Sequence, residues 1–282
     1  MPSLTLRSER GTELCLDRPI LMGILNVTPD SFSDGGHLAT AAAALHRARE
    51  LLEAGAGILD IGGESTRPGA PSVDEATELS RVIPTIEALV REGVDVPISI
   101  DTQKPQVAKA ALEAGADIIN DISAFGADGM AAVAAQSGAL VVLMHMRGKP
   151  KTMQAGPIHY DDATAEVADY LRERIAFASA AGVSSGRIIT DPGIGFGKEL
   201  EHNLSLTKHL GALTELGCPV LFGPSRKRFL GEITGRDVSD RDRATAAVCA
   251  AAVLAGASIL RVHDVAAVSD AVAIAHAIRT AS

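Results

Sequence analysis

The chain predicts an α/β fold, a TIM (β/α)8 barrel entered by a short N-terminal β-hairpin, on three observations. Short apolar runs stop eight times on a residue that can hydrogen-bond, coordinate or carry charge: Asn26, Asp60 through Glu64, Asp101, Asn120 with Asp121, His145, Asp191, Ser225, and Arg261 with His263. Most gaps between those stops are long enough for a helix, the alternation that builds a parallel sheet. One unit also recurs: LEAGAGILD at 52–60 and LEAGADIIN at 112–120 are nearly superimposable, and LAGASILR at 254–261 is a third copy. It reads as a helix end, a glycine in the left-handed cap, a short turn and a β-branched strand.

Strands are expected at 20–26, 58–62, 97–101, 118–122, 140–145, 187–191, 220–223 and 259–263, each an apolar run bounded by turn residues. Helices fill the gaps, with 40–54 and 160–181 the clearest by apolar spacing. Ahead of the first strand, 4–6 and 13–16 alternate around Gly11 and suggest a hairpin closing the amino-terminal end of the barrel. At 282 residues the chain suits one domain over 1–282, since such barrels run to about 250 residues. Residues 244–260 carry no charge, but their alanine content and Gly256 favour a buried helix followed by a strand over a membrane span.

Composition narrows the function classes. A formal charge of -9 argues against nonspecific nucleic-acid binding, which relies on a broad basic surface. Cys15, Cys218 and Cys249 are far apart without a CxxC pair, so neither a disulfide framework nor a zinc knuckle is indicated and a reducing cytoplasm is expected. Residues 1–11 lack the apolar run of a secretory signal.

There is no HExxH and no GxSxG, and His202 with His209 reads as one exposed helical face. The glycine-rich stretch 191–198, DPGIGFGK, fits neither the P-loop nor the dinucleotide spacing. What remains is a binding set of two kinds. Asp101, Asn120 and Asp191 at three strand ends offer carboxylates and an amide suited to the ring donors of a flat heterocycle, and a buried carboxylate needs such pairing. Arg67, the run Arg226, Lys227 and Arg228, and Arg261 with His263 are cationic. Gly223-Pro224-Ser225 leads from strand to helix start, a natural anion seat. Arg228 reads as a solvated helix-face charge, whereas Lys227 and Arg261 stand beside strand ends. Two connections, 26–40 and 64–73, exceed the usual two to six residues of a βα loop and are expected to cover a substrate.

The motifs NVTPDSFSDGG at 26–36, DIGGESTRPG at 60–69, SIDT at 99–102, NDI at 120–122, LMHM at 143–146, DPGIGFGK at 191–198, SRK at 225–227 and RVHDV at 261–265 together resemble the dihydropteroate synthase family. The resemblance runs in the family's order from about residue 20 to 265 and implies the barrel fold. It also implies condensation of 6-hydroxymethyl-7,8-dihydropterin diphosphate with p-aminobenzoate to give 7,8-dihydropteroate and diphosphate, in folate synthesis. By motif position, Asp101, Asn120, Asp191 and Lys227 would hold the pterin, with Met144, Ile122 and Phe196 near its faces and Arg261 stacked on it. Asn26, Thr66, Arg261 and His263 would hold the diphosphate, Asn26 through Mg2+, with Val262 between the last two. Ser225 and the helix start behind it would seat the acceptor carboxylate, while Phe32, Arg67 and Pro68 close over its ring.

On the same resemblance Arg67, Lys227, Arg261 and His263 are the expected catalytic residues, the product is a transferase and sulfonamide target, and the assembly is a homodimer to which residues 244–255 contribute. Neither nucleic acid nor membrane is an expected partner. Two alternatives share the fold: a pterin-binding methyltransferase acting on methyltetrahydrofolate, and a catalytically silent paralogue. Asp60 and His145 suggest no defined chemistry and are expected to be structural.

Overall fold

The computed structural model describes residues 5–28, 36–65, 70–148, 152–154 and 156–281. A two-stranded antiparallel hairpin, β1 (Thr5–Arg7) and β2 (Glu13–Cys15), precedes eight parallel strands. These are β3 (Ile20–Asn26), β4 (Ile58–Gly62), β5 (Ile98–Asp101), β6 (Ile118–Asp121), β7 (Leu140–Met144), β8 (Ile188–Asp191), β9 (Leu221–Phe222) and β10 (Ile259–Val262). They are ordered β8-β7-β6-β5-β4-β3-β10-β9. A parallel bridge from Thr190 to Val220 brings the two ends of that order together, with Thr190 N donating to Pro219 O at 2.9 Å, so the sheet closes as a barrel.

Ten helices among the described residues wrap it: α1 (Gly36–Glu53), α2 (Glu75–Arg91), α3 (Pro105–Ala114), α4 (Met130–Ser137), α5 (Ala163–Ala180), α6 (Leu200–Lys208), α7 (Gly211–Thr214), α8 (Arg228–Thr234), α9 (Asp242–Leu254) and α10 (Ala266–Thr280).

Side-chain parity explains where the polar strand ends go. In a strand, alternate residues face opposite sides. Leu59, Ile61, Ile100, Ile119, Val141, Leu143, Ile188, Phe222, Leu260 and Val262 pack with helix residues in the outer core. Met22, Ile58, Ile118, Leu140, Val142, Ile189, Leu221 and Ile259 fill the barrel interior, plugged below by Leu6 and Leu14 of the hairpin. Two residues further along each strand, the same inward parity reaches Asp60, Asn120, Met144, Asp191 and Arg261. The interior is therefore apolar at its base and polar at its carboxyl rim.

Element boundaries differ from expectation where a particular bond, long-range or local, intervenes or an N–H is missing. The strand expected from 187 starts at Ile188, because Arg187 closes a 3-10 turn (Ser185–Arg187) and donates from one guanidinium nitrogen to Ala134 O and Ala139 O at 3.2 Å. The strand expected at 220–223 shrinks to Leu221–Phe222 after Pro219, which has no N–H for the ladder. The helix expected from 160 begins at Ala163, where Asp162 caps Thr164 N and Ala165 N at 2.9 and 3.0 Å. Residues 244–260 divide into the end of α9, a turn at Gly256 and β10, and no described helix is long and apolar enough to cross a membrane. In the repeated unit, Gly115 takes φ 116°, and a Cβ there would stand 2.6 Å from Val90 Cγ2, so both conformation and packing demand glycine.

Candidate active site

Register lines up one row of the rim. Asn26 pairs with Gly62, Gly62 with Asp101, and Asp101 with Asn120, so residues from four strands share a level. Gly62 keeps the row open, because a Cβ there would sit 3.5 Å from Asn26 Oδ1 and 3.7 Å from Asp101 Cβ.

Arg261 crosses the mouth from β10 and links this row. Its Nε donates to Asp60 Oδ2 at 2.6 Å, and one terminal nitrogen donates to Asp101 Oδ2 at 2.6 Å. Asn120 Nδ2 also donates to Asp60, at 3.2 and 3.3 Å to the two oxygens. Asp60 is fully buried, so it fixes Arg261 and Asn120 from below without facing the opening. The structural role expected for Asp60 is thus one of anchoring, and the signal for it in the sequence is the parity it shares with Ile58 beneath it and Gly62 above it.

Burial pushes the Asp101 carboxyl up to about 7, opposed by Arg261 and reinforced by Asp60, Glu78 and Asp121. Burial pulls Arg261 down, but Asp60 and Asp101 outweigh it and its proton is held more firmly than usual. Across the mouth, Asp191 is raised by burial against Lys227 and the Gly193 amide. Lys227 is lowered by burial to about 7, against the pull of Asp191. Asp101 and Lys227 thus lie near neutrality while Arg261 stays charged, an arrangement common where a site exchanges charge with a ligand.

The glycine-rich loop seats a carboxylate of its own chain. Gly193 N donates to Asp191 Oδ1 at 2.7 Å, Gly195 N to Asn203 Oδ1 at 2.8 Å, and Phe196 N to Gly193 O at 3.0 Å. Lys198 is buried beneath it, donating to Gly193 O at 3.0 Å, Phe196 O at 3.1 Å and His145 Nδ1 at 2.9 Å. Burial, then the charge on Lys198, holds His145 down to about 3, so His145 is a neutral acceptor supporting the loop. Above, Lys227 Nζ donates to Ile194 O and lies 4.4 Å from the Phe196 ring centroid.

The remaining expected residues divide cleanly. Met144 and Ile122 are buried on inward parity near the rim. Ser225 Oγ accepts from His263 N at 3.1 Å and lies 2.9 Å from His263 Nδ1, joining the ends of β9 and β10. Val262 is fully buried in the outer core, so only its backbone can reach the site. Arg226 turns to Asp242, and exposed Arg228 pairs with Glu232 at 2.6 Å. Asp121 faces outward, accepting from Ser123 N and Phe125 N at 2.8 Å to shape the loop after β6. Phe32, Thr66, Arg67 and Pro68 lie outside the described residues.

A parallel barrel whose rim sets acidic and amide groups around two half-buried cations has the form of an enzyme pocket for a small polar ligand. Residues 22–263 match the model of the family described as pterin binding enzyme. The chain is 48% identical over 249 residues to the dihydropteroate synthase of Synechocystis sp., covering 88% of this chain and 86% of the relative. It is 46% identical over 255 residues to that of Escherichia coli, covering 90% of each. The solved Xanthomonas albilineans dihydropteroate synthase with 4-aminobenzoic acid superimposes with a TM-score of 0.92 at 49% identity, covering 99% of this chain and all (100%) of that one. The same organism's enzyme in complex with 7,8-dihydropteroate gives a TM-score of 0.88 at 45% identity over 99% of this chain and 100% of the other. The chain belongs to the pterin binding enzymes and, within them, to the dihydropteroate synthases.

Proposed function

We propose that this enzyme condenses 6-hydroxymethyl-7,8-dihydropterin diphosphate with p-aminobenzoate, and that residues 1–282 act as one catalytic barrel domain. The observation that carries the residue assignment is the Asp60-organised network of Asp101, Asn120 and Arg261 facing Asp191 and Lys227. Asp101, Asn120 and Asp191 accept and donate along the pterin edge, where a buried carboxylate gains paired N–H donors. Met144, Ile122 and Phe196 line the ring faces, and Lys227 meets a ring acceptor.

Loss of diphosphate leaves positive charge on the pterin methylene, which the electron-rich ring delocalises, and the arylamine then attacks. Arg261 and His263, with Thr66, hold the diphosphate and stabilise the charge that grows on it as the C–O bond breaks. No protein nucleophile is needed, so no covalent enzyme intermediate forms. Ser225 and the start of α8 seat the acceptor carboxylate, and Phe32, Arg67 and Pro68 close over its ring.

Asn26 suits a hard cation. Its amide oxygen stands over the space that Gly62 leaves open, and Mg2+ prefers one or two protein oxygens with phosphate and water over an all-protein cage. Bound there, Mg2+ would supply charge neutralisation to the diphosphate. A homodimer is supported by exposed Leu254, Ile274 and Ile278 on α9 and α10. A cytoplasmic setting is supported by three free cysteines.

Purified protein incubated with the pterin diphosphate, p-aminobenzoate and Mg2+ should release diphosphate at a rate set by both substrates. A folded protein without turnover would sink the reading in favour of a silent paralogue.

A further inference from the structure

The turn between β9 and α8 contributes two residues to the pocket, Ser225 and Lys227, separated by one. Arg226 between them has φ 58°, a left-handed conformation that a residue bearing a Cβ disfavours by about tenfold. Its bonds come from the start of α9. Arg226 Nε and one terminal nitrogen donate to the two oxygens of Asp242 at 2.7 and 2.8 Å, a two-pronged charged pair. Arg226 N donates to Thr245 Oγ1 at 3.1 Å. Arg241 donates to Arg226 O at 3.1 Å and to Lys227 O at 3.5 Å. Gly231 makes room for that reach, since a Cβ on it would fall 2.3 Å from the Arg241 guanidinium. Side chain, amide and carbonyl of one unfavourable residue are all gripped from the next helix.

We propose that Asp242, Arg241 and Thr245 form a brace that holds Arg226 left-handed, and that Asp242 is thereby a positioning residue for both substrates, acting through Ser225 and Lys227. Relaxing Arg226 to negative φ rotates the peptide planes on either side of it. Ser225 Oγ then leaves His263, or Lys227 Nζ leaves Ile194 O and the Phe196 ring. The substrate arm of this inference rests on the proposed function; the backbone arm does not.

The test compares Arg226→Ala, Arg226→Gly, Asp242→Ala and the double variant Arg226→Gly/Asp242→Ala, each checked for cooperative thermal unfolding. Amide hydrogen exchange over 224–228 is read without substrate, and affinity for the pterin diphosphate is read by calorimetry. Arg226→Ala and Asp242→Ala should speed exchange and weaken binding about tenfold, because the strain stays while the brace loses its two-pronged charged pair. Arg226→Gly and the double variant should stay within about threefold of the parent, because glycine adopts the turn unaided. Asp242→Asn, milder and less prone to misfold, should lie between. Equal damage from alanine and glycine at 226, or an undiminished Asp242→Ala effect in the glycine background, overturns the proposal. A parent protein that binds no pterin overturns the function reading instead, and the exchange comparison still decides the brace.

Discussion

Asp60→Asn tests whether the mouth of the barrel is organised from beneath. The substitution conserves shape but removes the charge that Arg261 Nε meets at 2.6 Å, and an amide nitrogen turned that way would face the donors of Arg261 and Asn120. Losing one charged hydrogen bond costs about 1.5–3 kcal/mol. Stripping a partner from a buried ion pair costs about 3–5 kcal/mol, the upper limit here because Arg261 keeps its 2.6 Å bond to Asp101. We therefore expect a stability loss of about 2–4 kcal/mol in chemical unfolding, within what a domain stable by about 5–15 kcal/mol survives. Catalysis should suffer further, because Asn120 and Arg261 lose their common anchor. A loss in kcat/KM of about a hundredfold, corresponding to about 2.7 kcal/mol, is expected. Removing the Asp60 charge also removes one cause of the raised Asp101 value, so the Asp101 carboxyl should titrate closer to its ordinary range by NMR. A stability change below about 1 kcal/mol together with kcat/KM within about threefold of the parent would refute the anchoring role.

The other predictions concern the loop, pH and metal. Gly193→Ala would place a Cβ 1.9 Å from His145 O at φ 66°, and it should cost more than about 3 kcal/mol in unfolding experiments; a soluble variant of parental stability would contradict the tight approach. Asp101, raised from 3.8 to about 7, keeps a proton in the folded state that the unfolded chain has released. Its contribution to stability is therefore full below pH 4 and is lost as pH rises through 7, so the stability difference between parent and Asp101→Asn should decline across that window and would otherwise stay flat. Lys227, lowered from 10.5 to about 7, works in the opposite sense, with its contribution growing from pH 7 upward, which Lys227→Met should abolish. Asn26→Ala should raise the Mg2+ concentration at half-saturation about tenfold in calorimetry with inorganic diphosphate present; an unchanged midpoint removes Asn26 from the metal.

Much of the barrel was legible because its signals are local. The repeat at 52–60 and 112–120 places a left-handed glycine before a buried strand, and β3 and β4 begin and end where expected. Boundaries slipped where a bond comes from elsewhere in the chain, as with Arg187 reaching Ala134 and Ala139. At the mouth of the barrel, Asp101, Asn120, Asp191 and Arg261 were legible as strand-end polar groups, and Lys227 as a cation beside such an end. Asp60 was harder to read, because an acidic residue in a strand looks the same in sequence whether it faces a helix, as Asp121 does, or the barrel interior.

The sequence by itself determined the order of strands and helices, the apolar base beneath a polar rim, and the family through its long motifs, since each depends on residue type and spacing along the chain. Only the tertiary structure decided that Asp60 underlies both Asn120 and Arg261, that the Gly193 amide serves the chain's own Asp191, and that α9 grips Arg226. The Asp60–Arg261 bond joins residues 201 positions apart, and its existence depends on barrel closure, which sets register and parity among strands that carry no local record of one another.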